Sequence, residues 1–285
     1  TLIRFTWTFN LNFSQFVLAG VIWMLGWCMV LLAAMVWLRP RTIGIIGLIV
    51  IFGQQLFAVL ANALPPSVQN TIGPVWEFIY SSNLPGPSGI TILYVIVPWI
   101  GVMMAGYGFG AILQMEPARA NRTCLWIGLS AIIIFLAWGS IVATAQTDER
   151  PFIYKLLGQQ KYPASQLYLL MTLGPAIAIV PLAGKARNRV TQWLNTIGRV
   201  PMFYYLLHIP LIHLTALLVN FIQNGSVAHE WYATAPYSQV PTEHQWNLGM
   251  LYLVFVIDVI LLYLACRWYA KYKMLHPEKK WLSYI

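Results

Sequence analysis

Seven continuous apolar stretches decide what this chain can fold into. They lie near residues 16–38, 42–64, 90–113, 123–145, 165–184, 200–222 and 247–271. Each approaches the 20 or so helical residues that cross a hydrocarbon core of about 30 Å. The runs are continuous and do not alternate in polarity, so helices are expected and barrel strands are not. The expectation is an all-α polytopic membrane bundle of about seven transmembrane helices. It forms one transmembrane domain over residues 1–285, with no repeat or low-complexity tract.

Composition excludes the soluble alternative. Hydrophobic residues make up 59% of the chain, charged residues 9%, and the mean hydropathy is +0.66. A soluble domain carries about a quarter charged residues, because its surface must be solvated. The net charge of +9 therefore reads as topology and contact with anionic lipid head groups, and no nucleic-acid partner is expected. Cys28, Cys124 and Cys266 all lie in apolar runs, which implies neither a disulfide framework nor a cysteine metal site.

The connections set an orientation. One set carries Arg39 and Arg41, then Arg119 and Arg122, then Lys185, Arg187, Arg189 and Arg199. The tail adds Arg267, Lys271, Lys273, Lys279 and Lys280. The opposite set holds Arg4, Arg150, Lys155 and Lys161. The positive-inside bias places the larger group in the cytoplasm, with Thr1 outside and the C-terminus inside. No secretory signal precedes the first apolar run. An external start is then most simply produced by an odd number of earlier spans. The chain is thus expected to be the C-terminal part of a longer protein with one or three further helices. The external connections 65–89 and 223–246 are long and rich in Pro, Trp, His and Glu, as befits segments that cover or bind something.

Ionisable residues inside a span are costly and are functional candidates by default. Asp258, in LVFVIDVILLY, is the one acid in the middle of an expected helix. It serves either as a proton relay or orienting carboxylate, or as a hydrogen-bonded tie between two helices. His208, in GRVPMFYYLLHIPLIH, lies nine residues beyond Arg199, roughly 13 Å along a helix and near mid-membrane. A histidine there can act as a general base or bind substrate. Alternatively it donates to a nearby carbonyl, since Pro210 leaves that of Leu206 unpaired. His213 is five residues from His208, about 140° around the helix, so the two do not form a metal pair.

Gln54 and Gln55, after Gly53 in the second span, either bond a ligand or tie helices together. Gly106-Tyr-Gly-Phe-Gly110 follows no strand, so close helix packing is expected and not a dinucleotide loop. Trp37, Trp193, Trp246 and Trp268 sit near span ends as an interfacial belt. Lys161-Tyr162-Pro163 marks the start of the fifth span. His229, Glu230, Glu243 and His244 have no diagnostic metal spacing, and no metal is expected. Arg199, beside Lys185, Arg187 and Arg189, offers a partner for a phosphate-bearing donor such as a coenzyme A ester. Its other reading is positive-inside charge touching lipid.

The stretches KYPASQLYLLMTLGPA (161–176) and GRVPMFYYLLHIPLIH (198–213), with RFTWTFN (4–10) and VPWIGVMMAGYGFG (97–110), carry a resemblance to a known family. They resemble bacterial relatives of heparan-alpha-glucosaminide N-acetyltransferase, multi-pass proteins within a broader membrane acyltransferase grouping. The resemblance covers essentially the whole chain. It implies transfer of an acetyl group from cytosolic acetyl-CoA, as co-substrate, to an amine or hydroxyl of an external saccharide or glycolipid.

The implied setting is the bacterial inner membrane, with the lipid bilayer as partner and a homodimer as an option. Family members begin with about three further helices, which carry an Asp-x-x-Arg-Gly-like stretch and a loop histidine held to be catalytic. His208 matches the family's histidine in span six, and Arg199 and Tyr204 fall in the same motif. The N-terminal region that carries the loop histidine is absent from this sequence, so the resemblance implies that the family's catalytic histidine is missing here; the candidate catalytic residues within this chain are His208 and Asp258. Arg199, Tyr204, Gln54, Gln55, Lys161 and Tyr162 are implied in substrate binding. Where relatives often carry Gly-His-Asn, this chain has Gly53-Gln54-Gln55. The rival reading is a transporter or flippase of a glycan or lipid. A non-catalytic membrane subunit is a third, in which His208 and Asp258 would tolerate apolar replacement.

Overall fold

The computed structural model describes residues 17–82, 84–183, 188–225 and 245–284. The expectations on Arg4 and the motif at 4–10, on Lys185 and Arg187, and on His229, Glu230, Glu243 and His244 lie outside these residues. The chain is mostly helical. Five helices among the described residues are long and apolar enough to cross a membrane. The contacts group it into two compact units, Val17–Lys185 and a second that holds Ala186–Ile285.

In the first unit, β1 (Val17–Ala19) is followed by α1 (Val21–Ala33), α2 (Pro40–Gly53), α3 (Gln55–Asn62) and α4 (Pro66–Ile79). Then come β2 (Ile90–Ile92), α5 (Ile96–Leu113), α6 (Pro117–Ala145), α7 (Phe152–Leu157) and α8 (Gln166–Ala183). The sequence-based boundaries hold for α8 and differ elsewhere. The first apolar run gives a helix of only 13 residues, about 20 Å long. Its start instead forms a parallel pair with β2, in the register Val17↔Ile90, Leu18↔Thr91 and Ala19↔Ile92.

That pairing also delays the third expected span, whose helix begins at Ile96. Val97 there is extended, at φ −94° and ψ 128°, as a residue before proline prefers. The second run breaks at Gln54, and its two halves are bent by 57°. The fourth starts earlier than expected, at Pro117. Proline suits the first helical position, and Glu116 accepts a hydrogen bond of 3.4 Å from Ala118 N. The Pro-rich 65–89 connection contributes α4, again opened by a proline.

Small residues let these helices approach. A Cβ on Gly47 of α2 would lie 2.5 Å from Ala105 N, and one on Gly108 of α5 would lie 2.6 Å from Gly44 Cα. Between α6 and α8, a Cβ on Gly128 would lie 2.5 Å from Ala178 N. Helices in lipid gain their attraction from such close van der Waals contact, because apolar burial contributes little there. Of the Gly106-Tyr-Gly-Phe-Gly110 glycines only Gly108 makes the approach; Gly106 and Gly110 face open space. The core beside α1, α2 and α5 is Met24, Cys28, Ile43, Val97, Ile100 and Met104.

The second unit holds α9 (Arg189–Gly198), α10 (Pro201–Asn224), α11 (Leu248–Leu275) and a 3-10 turn (Lys280–Tyr284). Asn188 and Thr191 cap α9 reciprocally. Gly225, at φ 66°, ends α10 in the left-handed conformation that glycine adopts without a Cβ penalty. The Asn247 side chain accepts from Met250 N at 2.8 Å and opens α11. Val200, Cys266, Tyr269, Ala270 and Leu282 form its core. Phe203, near the start of α10, stacks on Tyr269, near the end of α11, with ring centroids 4.2 Å apart.

Candidate functional site: a cavity between two helices

A cavity of about 640 Å³ lies in the second unit, between α10 and α11. That falls within the roughly 300–1,000 Å³ of small-molecule sites. On α10 its wall recurs at Tyr204, His208, Ile212, Ala216 and Asn220, the four-residue spacing of one helix face. On α11 it recurs at Leu251, Val254, Phe255, Asp258, Val259 and Leu262. Tyr204 to Asn220 covers roughly 24 Å of helix, most of a hydrocarbon core. Aliphatic, aromatic and polar side chains are mixed along the walls, which also include His213, Thr215, Gln245 and Trp246.

Asp258 is buried, 5% exposed. Its Oδ2 lies 3.1 Å from Thr215 Oγ1. Its Oδ1 is buried with no hydrogen-bond partner among the described residues. Thr215 also lies 3.0 Å from the carbonyls of Leu211 and Ile212, and its single proton serves one acceptor at a time. A carboxyl oxygen buried without a donor is costly.

His208 sits lower in the same wall. Its Nδ1 lies 2.6 Å from the Tyr205 carbonyl. A carbonyl only accepts, so Nδ1 carries the proton and, in the neutral ring, Nε2 carries the lone pair. The Tyr204 ring stacks on His208 with centroids 5.9 Å apart, and Tyr205 flanks it at 5.3 Å. Thr215, the partner of Asp258, is seven residues from His208, about 10 Å along α10. Asp258 therefore bonds to a threonine and not to His208, and the cavity has two polar levels.

Three of the candidate residues, His208, Asp258 and Tyr204, thus line one cavity. Arg199 caps the end of α9, exposed, with Nη1 3.4 Å from Met274 Sδ. Gln54, Gln55, Lys161 and Tyr162 belong to the first unit. Gln54 is buried, and its Nε2 donates at 3.1 Å to Ile51 O within its own broken helix. Gln55 is exposed. Lys161 lies over the Tyr162 ring at 5.1 Å, and Tyr162 meets Tyr94 edge-on at 5.2 Å.

The polar residues that sequence reasoning passed over are Thr215, Asn220 and Gln166. Gln166 of α8, not Gln54, reaches across to another helix, at 3.5 Å from Phe52 O. The signal for Asn220 was present, since it continues the 204-208-212-216 spacing. Among the described residues no cluster of three or more His, Cys, Asp or Glu could hold a metal. No family model matches the chain, and no curated protein or solved structure matches it either. What the fold defines is a class, a helical protein with several helices long and apolar enough to cross a membrane and a polar-studded cavity inside one of its helix pairs.

Proposed function

We propose that this protein is a membrane-embedded acyltransferase. In this reading it lies in a bacterial inner membrane with Thr1 outside and the C-terminus in the cytoplasm. It moves an acetyl group from cytosolic acetyl-CoA to an amine or hydroxyl of an external saccharide or glycolipid. The observation that carries the reading is the place of His208 in the cavity wall, with its Nδ1 2.6 Å from the Tyr205 carbonyl, which accepts the ring's N–H there. Nε2 is then the basic atom.

As the acceptor nitrogen or oxygen attacks the thioester carbonyl carbon, Nε2 takes the acceptor's proton. The C–S bond breaks, and the departing sulfur receives that proton from His208. In the two-step version, Nε2 itself accepts the acetyl group and passes it on. Tyr204, stacked on His208, keeps the ring in its plane. Arg199, at the far end of the same motif, is the residue of this group best suited to a phosphate of the donor.

Labelled acetyl-CoA offered to the native protein in sealed, oriented vesicles tests the reading. Label should appear on an acceptor and be lost in His208→Ala. A specific observation favours the rival transporter: the span Pro40–Asn62 is broken at Gln54 with a 57° bend, and interrupted helices are a transporter device. Unmodified solute that changes sides without gaining label would favour that rival.

A further inference from the structure

Beside an exposed Gln245, the cavity's wall carries apolar side chains that are themselves exposed. Ile212, Leu251 and Phe255 line the cavity and are also 46%, 51% and 59% exposed. Phe255 is seven residues inside α11, about 10 Å from the helix end. An exposed phenyl group at that depth in a membrane-crossing helix meets hydrocarbon, not water. The same wall holds Asp258, whose Oδ1 is buried and without a partner among the described residues. The cavity therefore sets the Asp258 carboxyl about one helical turn from an apolar, exposed part of its wall at Phe255.

We propose that the ligand is a lipid-anchored acceptor. Its hydroxyl or ammonium donates to Asp258 Oδ1, and its chain leaves past Leu251 and Phe255 into the bilayer. This rests on the acyltransferase reading and names its acceptor class. A donor group held at Asp258 lies about 10 Å along α10 from His208. A head group of sugar size, with a second nucleophilic group, spans that interval.

The test uses the native protein in lipid vesicles with two photoactivatable probes, a diazirine-bearing hexadecanol and a diazirine-bearing hexadecylamine. One or both should crosslink to the 245–262 segment. Unlabelled probe should compete, and glucosamine in the water phase should not. The probe that labels better tells hydroxyl from ammonium. Asp258→Ala should cut labelling about tenfold or more, as loss of a hydrogen bond to a charged group does. Leu251→Trp, at a half-exposed position where folding is not at stake, should cut it similarly by narrowing the rim.

Labelling unchanged in both variants, or displaced equally well by glucosamine, overturns the proposal. The labelled acetyl-CoA assay on the same vesicles separates the two ideas. Transfer to glucosamine without competition by the lipid probes retains the acyltransferase and removes the lipid acceptor. Cavity labelling lost in Asp258→Ala, but with no acetyl transfer, retains the lipid site and removes the acyltransferase.

Discussion

Thr215 Oγ1 on α10 lies 3.1 Å from Asp258 Oδ2 on α11, a side-chain contact that joins the two helices at the level of the cavity. It gives one carboxyl oxygen a donor, while the other is buried with no partner among the described residues. Asp258 is thus a hydrogen-bonded tie between helices, the second of the two alternatives that its sequence position raised.

Thr215→Val removes the donor and keeps the shape. Interhelical hydrogen bonds of this kind contribute about 1 kcal/mol in membrane proteins. A thermal-unfolding midpoint measured in detergent should fall accordingly, and Thr215→Ser should restore most of it. A valine variant as stable as the parent would mean that the contact stabilises nothing.

The α2–α5 contact is expected to be far less tolerant. In Gly47→Ala the new Cβ meets Ala105 N at 2.5 Å and Gly101 O at 2.6 Å. Both are backbone atoms that cannot step aside. Such overpacking costs about 1–3 kcal/mol. Gly106→Ala, with nothing within 4 Å, should be close to neutral. Thermal unfolding of the pair checks this, and equal effects would contradict the packing described.

Outside the spans, Asp148 makes a hydrogen bond of 2.7 Å with Arg150 and lies 3.6 Å from Lys155. The Arg150 guanidinium, first by hydrogen bonding, lowers the Asp148 carboxyl from 3.8 to about 2. A depressed carboxylate stabilises above its unfolded value and loses that contribution as pH falls through the folded one. The stability difference between the parent and Asp148→Asn should therefore be full above about pH 4 and vanish towards pH 2. Because the pair is exposed, the difference is small and should shrink with salt. A difference that persists at pH 2 would contradict the pairing.

The tautomer of His208 can be read directly. Nitrogen-15 NMR on histidine-labelled protein should show a neutral His208 protonated at Nδ1 and unprotonated at Nε2. Protonation at Nε2 instead would break the bond to Tyr205 O, and with it the assignment of the base.

The long apolar helices were legible because a twenty-residue run needs no tertiary partner to define it; α8, α10 and α11 fall where hydropathy puts them. What was not legible is non-local. The Val17–Ala19 strand exists only because Ile90–Ile92 lies beside it, and it shortens two expected spans. Beside the break at Gln54, the Phe52 carbonyl is met by Gln166, 114 residues away in sequence. In the site, His208 and Asp258 stood out as ionisable groups in apolar runs. Thr215 did not, because a threonine bonding back to its own helix is ordinary within a span. Pairing it with Asp258 requires knowing the register of α10 against α11.

The acyltransferase reading stands or falls on one experiment. Native protein in sealed vesicles of known orientation is given acetyl-labelled acetyl-CoA on the side of the C-terminus, and label is followed into protein, lipid and saccharide. The account predicts label on an acceptor, reduced about a hundredfold or more in His208→Ala, as expected when a general base is lost. Undiminished transfer in a folded His208→Ala protein, or no transfer while an unmodified solute crosses the membrane, would contradict it.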